Sequence, residues 1–476
     1  MGNSEPHWRQ RTGSGRAVFS AIEQLPEAEL NAVAGEIRAR LRERSLLIQG
    51  TETDQQNIIP VALTPWVLRR STARYLQGLF RAIRRTVNRI LPRYFEDPNL
   101  QQILPLREAE LKWLKDSYSD KIPRPQTVFE RFDTNLGPNV EEDLSSFQII
   151  EFNAVGVGCV YLMPAATELV NAHLIPSLKE KIPHVDLVPP ADYRQLLLGE
   201  LAAHSKALGR PDCRVGLVER RETITGGCDE FSQLQRFFEE KGFRSLVGDP
   251  RELETKGETF LLKGQEIDIV YRDFQLEEVV SIKTHGGSVE GIEAAFAQNR
   301  VVSTVFGEFD HKSLCEIFTS PAFASYFTPQ ELRASKRRVP WTRLIFERKT
   351  TDPQGNEIDL IPYVREKREA LVLKPNRGYG GEKVVVGEEV SEAEWSKVLE
   401  EAFSRPGSFV AQEKVKIEKV PMMVLKQSGR VQVEQHYVTL SVTATSKGVA
   451  FVGRCSPEPI VNISQGGGLV PVFLSV

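Results

Sequence analysis

Between Arg214 and Phe306 short apolar runs alternate with helical patterns, and this constrains the fold more than any other feature of the chain. Arg214-Val215-Gly216-Leu217-Val218 reads as a strand, Asp229 to Lys241 as an amphipathic helix, and Phe243 to Val247 as a second strand. Ile267-Asp268-Ile269-Val270-Tyr271 and Val301 to Phe306 add two more, with a helix expected near Val289 to Gln298. Strands joined through helices return in the same direction, so this stretch predicts a small α/β unit on a largely parallel sheet.

The flanks have a different texture. Residues 1–120 read as helical: Leu30, Val33, Ile37 and Leu41 recur at helical intervals within Leu25 to Leu47. Acidic residues come early in that segment and arginines late, as the helix dipole favours. Two further helices are expected over Pro65 to Leu91 and Asp97 to Ser119. This region carries no recognisable chemistry and reads as scaffold. From Thr127 short strands and turns take over, with Phe147 to Phe152 the clearest strand. The last third is β-rich: Ala370 to Lys374, Lys383 to Val386, Phe409 to Gln412, and long strands from Val431 to Val452, with a helix over Ser391 to Phe403. The expected division is 1–120, 121–205, 206–310 and 311–476.

Composition narrows the function classes. With 41% hydrophobic and 26% charged residues the chain reads as globular. A net charge of −3 gives no global basic field for nucleic acid or anionic membrane, so neither is expected as a partner. The basic runs at Arg81-Ala82-Ile83-Arg84-Arg85 and Lys336-Arg337-Arg338 read as solvated helix faces. The five cysteines are scattered without metal-ligand spacing, and the reading is a reducing, cytoplasmic setting.

Three stretches carry chemistry. In Leu371-Val372-Leu373-Lys374-Pro375-Asn376-Arg377-Gly378-Tyr379-Gly380-Gly381-Glu382-Lys383-Val384 a strand ends in a lysine, a glycine-rich loop follows, and a strand resumes. A lysine there reaches phosphate oxygens, and glycines let backbone N–H groups approach them. No Gly-Lys-Ser/Thr follows, so this is not a Walker loop, and a plain hairpin turn has the same composition. Phe409-Val410-Ala411-Gln412-Glu413-Lys414-Val415 suits a clamp on an adenine edge, or an ordinary strand end.

Upstream, Arg131-Phe132-Asp133 and Glu151-Phe152-Asn153 face each other across an expected hairpin. Side chains alternate along a strand, so Arg131 and Asp133 share a face, as do Glu151 and Asn153. Two carboxylates, an amide oxygen and a guanidinium then fall in one patch, a donor set for Mg²⁺ with phosphate. Near the end of the chain, Arg454 in Gly453-Arg454-Cys455-Ser456, Asn462, and Gly466-Gly467-Gly468 could meet a phosphate or acyl group, or form a tight β connection.

Taken together, these motifs resemble the ATP-grasp superfamily in circularly permuted order, as in the synthetase domain of glutathionylspermidine synthetase and its relatives. The resemblance spans Thr127 to Val476 and implies an α+β or α/β ATP-grasp fold with an inserted parallel α/β substrate-side unit and a helical N-terminal region. It implies ATP on Lys312, Lys374, Gly378, Gly380, Gly381, Gln412, Glu413, Val415 and Asn462, and Mg²⁺ on Asp133, Glu151 and Asn153. Arg131 and Arg454 would stabilise the developing charge. The chain departs from that pattern after Asn153, where Ala154-Val155-Gly156 stands, and it shows no cysteine amidase domain. The implied activity is ATP-dependent ligation of a carboxylate to an amine, on small-molecule or peptide substrates. A non-catalytic nucleotide-binding protein and a small-molecule kinase are the rivals. Arg272 is a candidate contact for a substrate carboxylate, and a structural ion pair accounts for it equally. The N-terminal helices could form a homodimer surface.

Overall fold

The computed structural model describes residues 13–49, 56–118, 125–137, 144–222, 229–378, 383–426, 428–463 and 466–475. At its centre lies a seven-stranded sheet. Its order is Glu418–Leu425, Val61–Ala62, Gly468–Val470, Val449–Ser456, Val431–Ala444, Arg131–Thr134 and Ile149–Asn153. Glu418–Leu425 also pairs with Val431–Ala444, so the sheet curls back on itself.

The expected parallel unit is present. Val301–Val302, Ile269–Asp273, Val215–Glu219 and Ser245–Gly248 form one sheet in that order, and each pairing is parallel. One strand is shorter than expected: extended pairing stops at Val302, and Val305–Phe309 is a 3₁₀ turn. The cause is local, because the Arg272 guanidinium donates to the carbonyls of Ser303 (2.7 Å) and Thr304 (3.0 Å).

The N-terminal region is not wholly helical. Helices form over Glu27–Glu43, Arg70–Ile90, Pro98–Ile103 and Glu108–Ser117, but Val61–Ala62 and Trp66–Arg69 are strands. Trp66, Val67 and Leu68 are buried, and their strand lies parallel to Val472–Ser475 at the far end of the chain. The helix expected from Pro65 therefore begins at Arg70. The helix expected over Asp97 to Ser119 breaks at Leu104, which leaves helical geometry (φ −112°, ψ 67°) ahead of Pro105.

A second, antiparallel sheet runs Thr342–Leu344, Phe409–Glu413, Leu371–Pro375 and Val385–Val386. Its period-two pattern has two destinations. Leu371, Leu373, Phe409 and Ala411 pack with Trp395, Leu399 and Ala402 of the Glu392–Ser404 helix. Val372, Lys374 and Gln412 turn to the other face. Ser391 starts the helix: its hydroxyl accepts from the Glu394 N–H (3.3 Å), and the Glu394 carboxylate accepts from the Ser391 N–H (2.9 Å). Trp395→Ala should remove roughly 3–5 kcal/mol from this layer, read as faster hydrogen exchange of the Leu371–Pro375 amides than of those in Val431–Ala444.

Candidate active site

A cavity of about 1010 Å³ is lined jointly by the central sheet, the second sheet and the parallel unit. Its floor is set by strand register. Arg131 pairs with Asn153, Phe132 with Phe152, and Asp133 with Glu151, with a register shift directly after Asp133. Phe132 and Phe152 are buried edge to face (centroids 5.3 Å apart), so the alternate residues Arg131, Asp133, Glu151 and Asn153 line the cavity.

Ion pairing organises these groups. Asp133 receives Arg131 Nε at 2.8 Å and Arg454 Nη2 at 2.7 Å, and Arg454 also donates to Ser441 Oγ (2.9 Å). Burial alone would push the Asp133 carboxyl up, but the two guanidiniums hold it well below the usual carboxylate range. Arg131 Nη1 donates to the Gly158 carbonyl (3.1 Å). Lys312 Nζ stands 3.1 Å from Glu151 Oε1 and donates to the Gly378 carbonyl (2.6 Å).

Lys374 is 8% exposed, and burial pushes its ammonium down to about 8, against the opposing pull of Glu151. It donates to Gln412 Oε1 at 2.6 Å. Gln412 in turn donates to Thr342 Oγ1 (3.0 Å) and the Ile150 carbonyl (3.2 Å). The Gln412 side chain therefore orients the lysine and bridges the two sheets, where an adenine or ribose contact was expected of it. Glu413, Val415, Asn462 and Gly378 line the same cavity. Gly380 and Gly381 lie outside the described residues.

Among the described residues no three His, Cys, Asp or Glu side chains gather as a metal cluster. Asp133, Glu151 and Asn153 offer two carboxylates and an amide oxygen on adjacent strands, a partial oxygen set of the kind Mg²⁺ completes with phosphate and water. The set fits that ion.

Arg272 is not a substrate contact. It is fully buried and ion-paired with Glu308, and its other donors go to the carbonyls of Ser303, Thr304 and Phe274. The residue that reaches the cavity is its neighbour Asp273, with Glu230 opposite, and sequence reasoning singled out neither. It also missed what holds the lysine loop. Asn376 accepts the Ser313 N–H on its side chain (2.9 Å) and the Lys312 N–H on its carbonyl (3.0 Å). Arg377 donates to both carboxylate oxygens of Glu110 (2.9 Å each), which is 1% exposed. Asn376 and Arg377 follow the Lys-Pro pair directly, which is a usable signal. Nothing local marks Glu110.

Sheets in this arrangement around a shared lysine-lined cavity define an ATP-grasp fold in circularly permuted order. Residues 345–452 match the family model described as circularly permuted ATP-grasp type 2. A glutathione synthetase like-effector from Globodera pallida, solved in the apo form, superposes with a TM-score of 0.60 over 95% of this chain and 98% of its own, at 11% identity. A RimK domain ATP-grasp protein from Sphaerobacter thermophilus reaches a TM-score of only 0.25 over 53% of this chain and 92% of its own, at 13% identity. Uncharacterized proteins of Mycobacterium bovis and Mycobacterium tuberculosis are each 26% identical over 218 residues, which is 43% of this chain. The match spans 36% of the length of these curated relatives.

Arg272→Ala would strand the Glu308 carboxylate, a cost of roughly 3–5 kcal/mol. Urea unfolding should show that loss, while nucleotide affinity below the transition stays at the wild-type value.

Proposed function

We propose that the chain is an ATP- and Mg²⁺-dependent ligase that joins a carboxylate to an amine through an acyl phosphate. The observation that carries this reading is the convergence of Arg131, Lys312, Lys374 and Arg454 on one end of a single cavity, with Asp133, Glu151 and Asn153 between them. Lys312 and Lys374 would bind the triphosphate, and the Gly378 loop would lie over it. Phosphate oxygens would return to Lys374 the charge stabilisation that burial removes. Asp133, Glu151 and Asn153 would hold Mg²⁺, which neutralises charge on the phosphates when bound.

A substrate carboxylate oxygen attacks the γ-phosphorus, ADP departs, and the amine then displaces phosphate at the acyl carbon. Arg131 and Arg454 face the charge that grows in both steps. Donors placed in this way are worth ~3–4 kcal/mol each in comparable sites. Glu413 and Val415 lie along the wall proposed for adenine, where extended backbone pairs with the base edge. Substrates are small molecules or peptides. No described helix is long and apolar enough to cross a membrane.

Calorimetry with a non-hydrolysable ATP analogue tests the reading. Lys374→Ala should weaken binding at least ~10-fold, about 1.4 kcal/mol, and an unchanged affinity would remove the lysine from the site. The ammonium loses its proton as pH rises through about 8, so wild-type affinity should fall above that pH. The variant should show no such fall. Glu151→Gln should abolish the gain in affinity that Mg²⁺ gives the wild type, read in titrations with and without the metal.

A further inference from the structure

We propose that the cavity end at the carboxyl edge of the parallel sheet binds the attacking amine as an alkylammonium ion, and that Asp273 takes the proton this ion must lose. The proposal deepens the ligase reading and rests on it. Val215–Glu219 and Ile269–Asp273 pair in parallel, so Glu219 and Asp273 stand side by side where open α/β sheets present ligands. Glu230 begins one facing helix and Glu278 sits in the first turn of another. Asp273, Glu230 and Glu278 line the cavity.

Little positive charge answers them. Glu278 pairs with Arg220 at 2.7 Å, while Glu230 accepts the neutral N–H groups of Cys159 (3.1 Å) and Tyr161 (2.7 Å) and that of Leu162, and feels the Arg131 guanidinium without pairing with it. Arg272, next along the strand, pairs with Glu308, and its pull on Asp273 is the least of the influences there. Glu219 is 6% exposed and, among the described residues, its side chain has no hydrogen bond or ion pair. Its neighbours are Asp273, Glu230 and Asp229. Carboxylates gathered out of water at a cavity wall, with Asp273 in the lining and Glu219 behind it on the paired strand, make an environment that a cation relieves. Burial first, then Glu230 and Glu278, pushes Asp273 up to about 7, a proton acceptor matched to neutral pH.

One turn separates this end from the phosphate end. Gly156 takes φ +61°, and a Cβ there would lie 2.0 Å from Asp273 Oδ1, so only glycine lets the carboxylate rest on the turn. Two residues on, Gly158 holds Arg131, and Cys159 holds Glu230. Cys159 does not compete as the nucleophile, because burial pushes its thiol up to about 12. In the step itself R–NH₃⁺ gives one proton to the Asp273 carboxylate, and the freed nitrogen pair attacks the acyl carbon. The C–N bond forms, the C–O bond to phosphate breaks with its electron pair, and the second nitrogen proton leaves with phosphate.

The test titrates n-butylammonium chloride into the analogue-loaded protein at about pH 6 and about pH 8. With Asp273 near 7, its charged fraction rises roughly tenfold between these pH values, and wild-type affinity should rise by up to that factor. Asp273→Asn should lose most of the affinity and the part of the pH dependence centred near 7, leaving only the higher step of Glu219, which burial and the neighbouring carboxylates push up to about 8, with nucleotide affinity as the control. A second reading uses stability. A carboxyl raised on folding binds its proton more tightly in the native state, so its contribution is lost as pH rises through about 7. Asp273→Asn should therefore raise Tm at about pH 8, whereas a structural carboxylate would lower it. Equal butylammonium binding in the variant, or a lowered Tm, would overturn the proposal. Failure of the wild type to bind the nucleotide analogue would instead overturn the ligase reading beneath it.

Discussion

Lys374 keeps only 8% of its surface in water and still has to carry charge at neutral pH. A desolvated ammonium is stable only where acceptors are fixed around it. Here the acceptor is the Gln412 amide, fixed by Thr342 on its own sheet and by the Ile150 carbonyl of the central sheet. The lysine therefore depends on both sheets being seated, and their seating brings the Arg131–Thr134 and Ile149–Asn153 strands to the Lys374 loop, more than two hundred residues later in the chain.

The anions of the floor follow the same logic. Asp133 sits between Arg131 and Arg454, and Glu151 faces Lys312, so each carboxylate meets a cation from a different part of the chain. Buried ion pairs add little net stability over apolar residues of the same shape, yet breaking one is costly. Their effect is geometric: they fix where charge stands in the cavity. The Glu110–Arg377 pair extends this to the N-terminal region, which anchors the base of the lysine loop. That region is more than the scaffold its sequence suggested.

Much of this was legible because strand periodicity is local. Arg131, Asp133, Glu151 and Asn153 share a face for the reason their spacing gives, and Lys374 alternates with Leu371 and Leu373 as a half-buried strand requires. What was illegible depends on distant partners. Trp66–Arg69 was read as part of a helix over Pro65 to Leu91, and its true partner, Val472–Ser475, lies at the far end of the chain. Arg272 looked available because nothing beside it in sequence declares Glu308. Gln412 was placed at adenine because its strand shows where it points but not that a lysine on the neighbouring strand donates to its oxygen.

The acidic edge follows from the same dependence on distance. Glu219 and Asp273 are the last residues of two strands that parallel pairing brings level, so neither sequence position announces the other. A fold selected for stability alone would place an arginine between them, and Arg272 is close enough on the same strand to serve. Alternation turns it away into Glu308, leaving the carboxylates with one another and with Glu230. Like charges gathered out of water cost stability at every pH where they are ionised. A cavity cationic at one end and anionic at the other bears this cost at both ends, which is the arrangement expected where an anionic donor and a cationic acceptor must meet across one turn of chain.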